Sequence, residues 1–391
     1  MLIKRCTSHR LPSSIKKLLL ATLLAAAGIT QAGAVTITTN QIISTPTTYK
    51  NVTLDMSAGF IIVPGGSLDI ENCIINVSAS PTNPFFTYMT TGGLILKDNT
   101  VKVSVSGITP NSSVQALFQL IKVDQGSLAI THNNFSVDQA YSLGFFTTNK
   151  TFATSGFSIR ENVIKNFHGG IYLLNSYADE VENNTFTRVS LSNILNTGDS
   201  SEFEHNIFNF PGNLAQGNAF DIINSTGIEI SNNIIASSSN YGIHIMGGKD
   251  ITISRNKITD SLSYGINIEA ATPVTLKKHS DLIQAGITVD EPSVHNNRHI
   301  IVSKNYLSQN RYGLSAQSVN GLSVNGNTFI QKFQDAVARK FWTSNDHLLS
   351  DVSGLTWTAN LYKEAFTQVV PGDNTLAKQF VVFPETGGVT L

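Results

Sequence analysis

Residues 241–263 read YGIHIMGGKDITISRNKITDSLS. Three short runs in this stretch alternate apolar and polar side chains: Ile243-His244-Ile245, Ile251-Thr252-Ile253 and Lys257-Ile258-Thr259. Between them stand Gly247-Gly248-Lys249-Asp250, the two-residue corner Arg255-Asn256, and the turn from Asp260 to Ser263. Alternation bounded by turn residues is the mark of half-buried strands. Three strands in about 22 residues leave no room for antiparallel hairpins with their loops, so three parallel sheets wound as a helix fit better.

The unit recurs. An asparagine stands two residues before an aliphatic or aromatic residue at Asn72, Asn99, Asn133, Asn162, Asn184, Asn206, Asn233, Asn256, Asn305, Asn327 and Asn360. The intervals are 27, 34, 29, 22, 22, 27, 23, 49, 22 and 33, so 22 to 23 is the unit and the rest carry insertions. The tight corner between the second and third strands calls for a residue at positive φ, which asparagine tolerates. Stacked at about 4.8 Å per coil, the side-chain amides would bond down the corner. Inward Ile, Val, Leu and Phe would then form one continuous core.

The expected fold is therefore all-β: a single-stranded right-handed parallel β-helix of ~22-residue coils. It has an asparagine ladder at the tight corner, an N-terminal cap and an irregular C-terminal cap. Residues 1–34 read as a signal peptide, with Lys4, Arg5, Arg10, Lys16 and Lys17 ahead of a short apolar run and Ala32-Gly33-Ala34 as cleavage site. The β-helix is expected over 35–340 and a capping segment, carrying Trp342 and Trp357, over 341–391.

Cleavage would leave 21 basic against 27 acidic residues, a charge of about −6, which argues against a nucleic-acid binder. Only Cys73 would remain, so no intrachain disulfide forms. The apolar run of the leader is too short for a membrane span, and a secreted or periplasmic monomer is expected.

The units Gly242-Ile243, Gly265-Ile266 and Gly313-Leu314, with IEISNNII, ITISRNKI, IVSKNYL and LSVNGNTF, carry a resemblance over roughly residues 60–335. The chain resembles the right-handed parallel β-helix family, the pectate-lyase-like superfamily whose repeats serve carbohydrate binding and sugar cleavage. That resemblance implies a polysaccharide ligand. It specifies fold better than activity: the Asp-Pro-His-Asp fingerprint of alginate epimerases and the Gly-His-Gly element of polygalacturonases are absent.

Strand alternation turns Tyr172, Asp221, His244, Asn267 and Ser315 outward, with Glu269 the next outward position. Steps of 23 residues from Asp221 to His244 to Asn267 make those three neighbours on one face. Two insertions border it, 211–217 and the long loop after Glu269, which brings Lys277, Lys278, His279, Asp281, Asp290, Glu291, His295, Arg298 and His299. The candidate catalytic set is Asp221, His244, Asn267 and Glu269; Tyr172, Lys277, Lys278 and Arg298 are candidate substrate contacts.

Lyase or epimerase chemistry, implied by the resemblance, needs a base near neutral pH and a cation for the uronate carboxylate. His244 is the expected base, oriented by Asp221, with Lys277, Lys278 or Arg298 as the cation. Hydrolysis would instead pair Asp221 with Glu269. No cofactor and no metal ligand are expected, with calcium left open. An outward site would contribute little to the core, so His244→Ala is expected to leave the coil folded. The expectation is an exported protein that binds and modifies an acidic polysaccharide. The alternatives are a non-catalytic glycan- or partner-binding solenoid and a periplasmic accessory protein for metalloenzyme maturation.

Overall fold

The coil at 241–263 folds as its alternation dictates, into strands Tyr241–Met246, Lys249–Ser254 and Lys257–Thr259. Each pairs in parallel with its counterpart one coil before and one coil after. Repetition of this unit builds a right-handed parallel β-helix with three faces. The computed structural model describes residues 33–82, 85–107, 119–149, 151–209, 218–272, 296–330, 345–363 and 381–382. The leader expected over 1–34 falls outside these residues except for its last two, and the first strand is Ala34–Ile37. No helix among the described residues is long and apolar enough to cross a membrane.

The third face is a thirteen-stranded sheet running from Ala34–Ile37 to Leu361–Lys363. The first and second faces join in one 24-stranded sheet, because the long strand Tyr312–Asn325 passes through both. Inside, like positions stack into columns. Ile230, Ile253, Val302, Val324 and Trp357 follow one another on the second face, all buried. Each such side chain withdrawn from water contributes about 1.5–3 kcal/mol, and every coil lends its apolar row to the next.

Strands Asn345–Ser353, Thr356–Thr358 and Leu361–Lys363 add another coil, and Trp357 enters the core, its ring stacked on Phe329 with centroids 6.2 Å apart. Trp342 lies outside the described residues.

The asparagine corner works one residue away from where the sequence places it. The residue at positive φ precedes the ladder asparagine: Asp98, His132, Glu161, Asn183, His205, Asn232, Arg255 and Lys304 all lie between 55° and 58°. The asparagine itself turns inward and closes the corner. Asn184 shows the pattern: its backbone N–H and its Nδ2 both donate to Asn206 Oδ1, at 3.0 and 3.1 Å, and Nδ2 also donates to Ile159 O at 2.8 Å. Buried amides satisfied in this way offset the cost of eight or more left-handed corner residues. Asn72 does not belong to the ladder. It is itself the left-handed residue (φ 53°), and Cys73 holds the ladder position, donating its N–H to Asn99 Oδ1.

Candidate active site

Register brings the candidate residues into one column on the first face. Tyr172 lies beside Ile194, Ile194 beside Asp221, Asp221 beside His244, His244 beside Asn267, and Asn267 beside Ser315. The 23-residue steps are therefore single coils. Glu269, two residues beyond Asn267 on strand Tyr264–Glu269, meets His244 on the diagonal.

His244 bridges two carboxylates. Its Nδ1 is 3.1 Å from Asp221 Oδ1 and its Nε2 is 2.7 Å from Glu269 Oε1. Asn218, on the same strand as Asp221, donates Nδ2 to both carboxylate oxygens at 3.0 and 3.1 Å. The other end of that amide is fixed as well, since Asn218 Oδ1 accepts the Tyr241 N–H at 3.0 Å. The end of the Glu269 strand is pinned by Asn297, which donates Nδ2 to Glu269 O and accepts the Gly248 N–H.

These side chains point outward along the strand, yet they are not on a solvated face. Asp221 and His244 are each 2% exposed, and the Glu269 side chain is 26% exposed. The Tyr241 ring lies 4.5 Å from the imidazole, centroid to centroid. Beside the column, Ile223, Met246 and Ala271 form a small buried apolar cluster on the outer side of the sheet. Alternation fixes which side of the strand a residue takes. It does not fix whether that side is covered.

Burial opposes a charge on His244, but the hydrogen bonds to Asp221 and Glu269 outweigh it and push the imidazole up to about 9. At neutral pH both ring nitrogens carry protons and both donate. An imidazole expected to accept a proton near neutrality is thus held as an imidazolium, a proton donor. The triad carries a net charge of −1 when both carboxylates are ionised. Since each ring nitrogen is engaged by a different carboxylate, the three groups do not converge on one point. No group of three His, Cys, Asp or Glu residues suited to a metal ion occurs among the described residues.

The other candidates lie differently. Tyr172 is 3% exposed and two coils from Asp221, with Ile194 between; burial, with Asp221 adding, holds its phenol well above the ordinary range. Arg298 is exposed on the second face, in register with Lys249, around the corner from the triad. Lys277, Lys278, His279, Asp281, Asp290, Glu291 and His295 lie outside the described residues. His299, at φ 51°, places Nδ1 3.1 Å from Asp250.

Two sets of neighbours escaped the sequence reading. Asn218 carried no recognisable signal. Tyr241, Tyr264 and Tyr312 did: they share one register position, and each stands immediately before the glycine of a Gly-Ile or Gly-Leu unit.

A family model described as "Right handed beta helix region" matches residues 196–348, in keeping with the right-handed parallel β-helix fold. No curated protein sequence matches the chain. Among solved structures, it is similar to the A-module of the Azotobacter vinelandii mannuronan C-5 epimerase AlgE6 at 11% identity and a TM-score of 0.39, covering 88% of this chain and 93% of that one. A PL6 alginate lyase in complex with a trisaccharide is similar at 12% identity and a TM-score of 0.43, covering 95% and 92%. A double mutant of the periplasmic alginate epimerase AlgG is similar at 15% identity and a TM-score of 0.42, covering 86% and 82%. Likeness this distant leaves activity to be argued from the site itself.

Proposed function

We propose that this right-handed β-helix protein is exported and binds an acidic polysaccharide along its first face. There the Asp221–His244–Glu269 triad supplies the acid for lyase or epimerase chemistry. The observation that carries the reading is the His244 imidazole bridging a buried carboxylate and one that reaches solvent. Isolated surface residues do not form such a relay; it takes three positions on three successive coils, plus Asn218 and Asn297 to hold the two ends.

In the proposed step, Glu269 is the member that touches substrate. Its carboxylate, fed by the proton on His244 Nε2, protonates the departing glycosidic oxygen in an elimination, or the far face of the carbanion in an epimerisation. Asp221 stays ionised, fixes the ring and stabilises its charge. The triad donates at neutral pH, so the base that removes the proton α to the uronate carboxylate is a separate group.

One observation favours a second reading. His244 and Asp221 are nearly inaccessible, which suits a buried ion network that orients Glu269 for binding without turnover. Incubation with alginate, pectate and glycosaminoglycans separates the two. Ultraviolet absorbance reports an unsaturated product, and deuterium uptake from heavy water reports epimerisation. Either signal, lost in Glu269→Gln, supports catalysis. Binding with neither signal leaves the binding module, and absence of binding to any acidic polysaccharide sinks both.

A further inference from the structure

Three tyrosines open three successive first-face strands at one register position, Tyr241 beside Tyr264 and Tyr264 beside Tyr312. The glycine after each makes this possible. A Cβ on Gly242 would stand 2.5 Å from Gly265 O, and one on Gly265 would stand 2.8 Å from Gly313 O. Any larger residue would push the coils apart there. With glycine, the rings close up. Tyr264 and Tyr312 stack with centroids 4.8 Å apart and planes 21° apart, while Tyr241 and Tyr264 are 5.6 Å apart and tilted by 38°. Rings lined up along the solenoid axis turn their faces toward one another rather than toward solvent.

All three are half-buried, and the row begins at the triad, since Tyr241 is also the ring against His244. It ends at a cation: the Arg311 guanidinium lies 5.4 Å from the centre of the Tyr312 ring. Glu269 and Arg311 act on Tyr264 from opposite signs. Burial raises the Tyr264 phenol, Arg311 opposes that rise, and Glu269 adds to it. Tyr241 is pushed up to about 12, by burial first and Glu269 next. At neutral pH the phenols of Tyr241 and Tyr264 are protonated donors, in a row that repeats once per coil.

Resting on the reading above, we propose that Tyr241, Tyr264, Tyr312 and Arg311 form the strip that holds the glycan chain alongside the triad and one coil beyond it. Arg311 pairs with the carboxylate of a uronate unit there. An extended polysaccharide repeats hydroxyl groups at a spacing close to one coil, so successive sugars meet successive phenols. The guanidinium offers five donors in a fork matched to a carboxylate, which a hydroxymethyl group does not engage as an ion pair. On this proposal the cation for the uronate is Arg311, immediately before the first-face strand Tyr312–Asn325, rather than Arg298 around the corner.

The test measures binding by calorimetry of an oligouronate and of the same oligosaccharide with its carboxyl groups reduced. The wild type should prefer the oligouronate. Arg311→Gln should bind the oligouronate at least about tenfold more weakly, and the reduced sugar unchanged. Tyr312→Ala should weaken both ligands, and Tyr264→Phe, which keeps the ring and so the fold, should weaken both by a smaller factor. If Arg311→Gln keeps the preference, or if the tyrosine variants bind like the wild type, the strip is wrong while the glycan-binding reading stands. If the wild type binds neither ligand, the reading beneath it falls as well.

Discussion

His244 Nε2 lies 2.7 Å from Glu269 Oε1, and this contact, with its counterpart to Asp221, holds the imidazole protonated up to about 9. Unfolded, the same ring titrates near 6.5. The folded state therefore favours the protonated form. Its stabilisation is fully present below pH 6.5 and is lost as pH rises through about 9. The shift corresponds to roughly 3 kcal/mol. Thermal unfolding followed by circular dichroism should show the midpoint falling between pH 7 and 10 in the wild type, with a flatter profile in His244→Gln. Parallel profiles would show that the network does not hold the proton.

Because His244 is buried between charges, its removal is not mild. His244→Ala leaves the Asp221 carboxylate without its cation in a site that is 2% exposed. Breaking a buried pair from one side costs about 3–5 kcal/mol. Replacing both residues, with Asp221→Ala added, should recover part of that loss, because the uncompensated charge goes too. Urea denaturation of the two single variants and the double variant measures the coupling. Strictly additive losses would mean the two groups do not interact.

Period, strand content and the order of neighbours were legible in the sequence, because each depends on local alternation and on spacing along the chain. Asp221, His244 and Asn267 needed only 23-residue steps to become neighbours. What alternation could not reveal is what covers a face, so residues read as outward are enclosed. It could not reveal the protonation of His244 either, which comes from Glu269 reaching across a diagonal. The corner was misread by one residue for a related reason. Asparagine is known to tolerate positive φ, but here the amide is wanted for its four hydrogen bonds, two donated by Nδ2 and two accepted by Oδ1, and the strain passes to Arg255, Lys304 or Glu161 instead. The tyrosines were legible in principle, since they precede the very glycines that define the unit.

The ladder predicts a sharp contrast between two asparagines. Asn206 Oδ1 accepts both the N–H and the Nδ2 of Asn184, and its own Nδ2 donates to Val181 O at 2.8 Å. Asn206→Ala orphans buried groups on two coils, at about 1–3 kcal/mol each. Asn72 is exposed and its side chain donates to the Asn51 side chain, so Asn72→Ala should cost about 1 kcal/mol, mostly from the left-handed backbone. Denaturation midpoints of the two variants check the ranking. Equal losses would remove the ladder as the structural reason for the repeat.

The second face carries a repulsive column that also yields a prediction. Glu180, Glu202 and Glu229 lie beside one another on successive coils, with Glu182 and Glu204 paired in the adjacent column. Arg160 bonds Glu180 and lies 3.4 Å from Glu182, which relieves one end. In the middle, burial first and then Glu204, Glu229, Glu180 and Glu182 hold the Glu202 carboxyl above its usual range. A raised carboxyl pKa means that folding favours the neutral form, so stability falls as pH rises through that pKa. Glu202→Gln should therefore stabilise the protein at pH 7, by about 0.5 kcal/mol at this exposed site. The gain should shrink as salt screens the column, whereas Glu180→Gln, which gives up the Arg160 contact, should not stabilise. Midpoints for both variants at low and high salt decide it: a Glu202→Gln protein no more stable than wild type at low salt would show that the column's repulsion is already relieved.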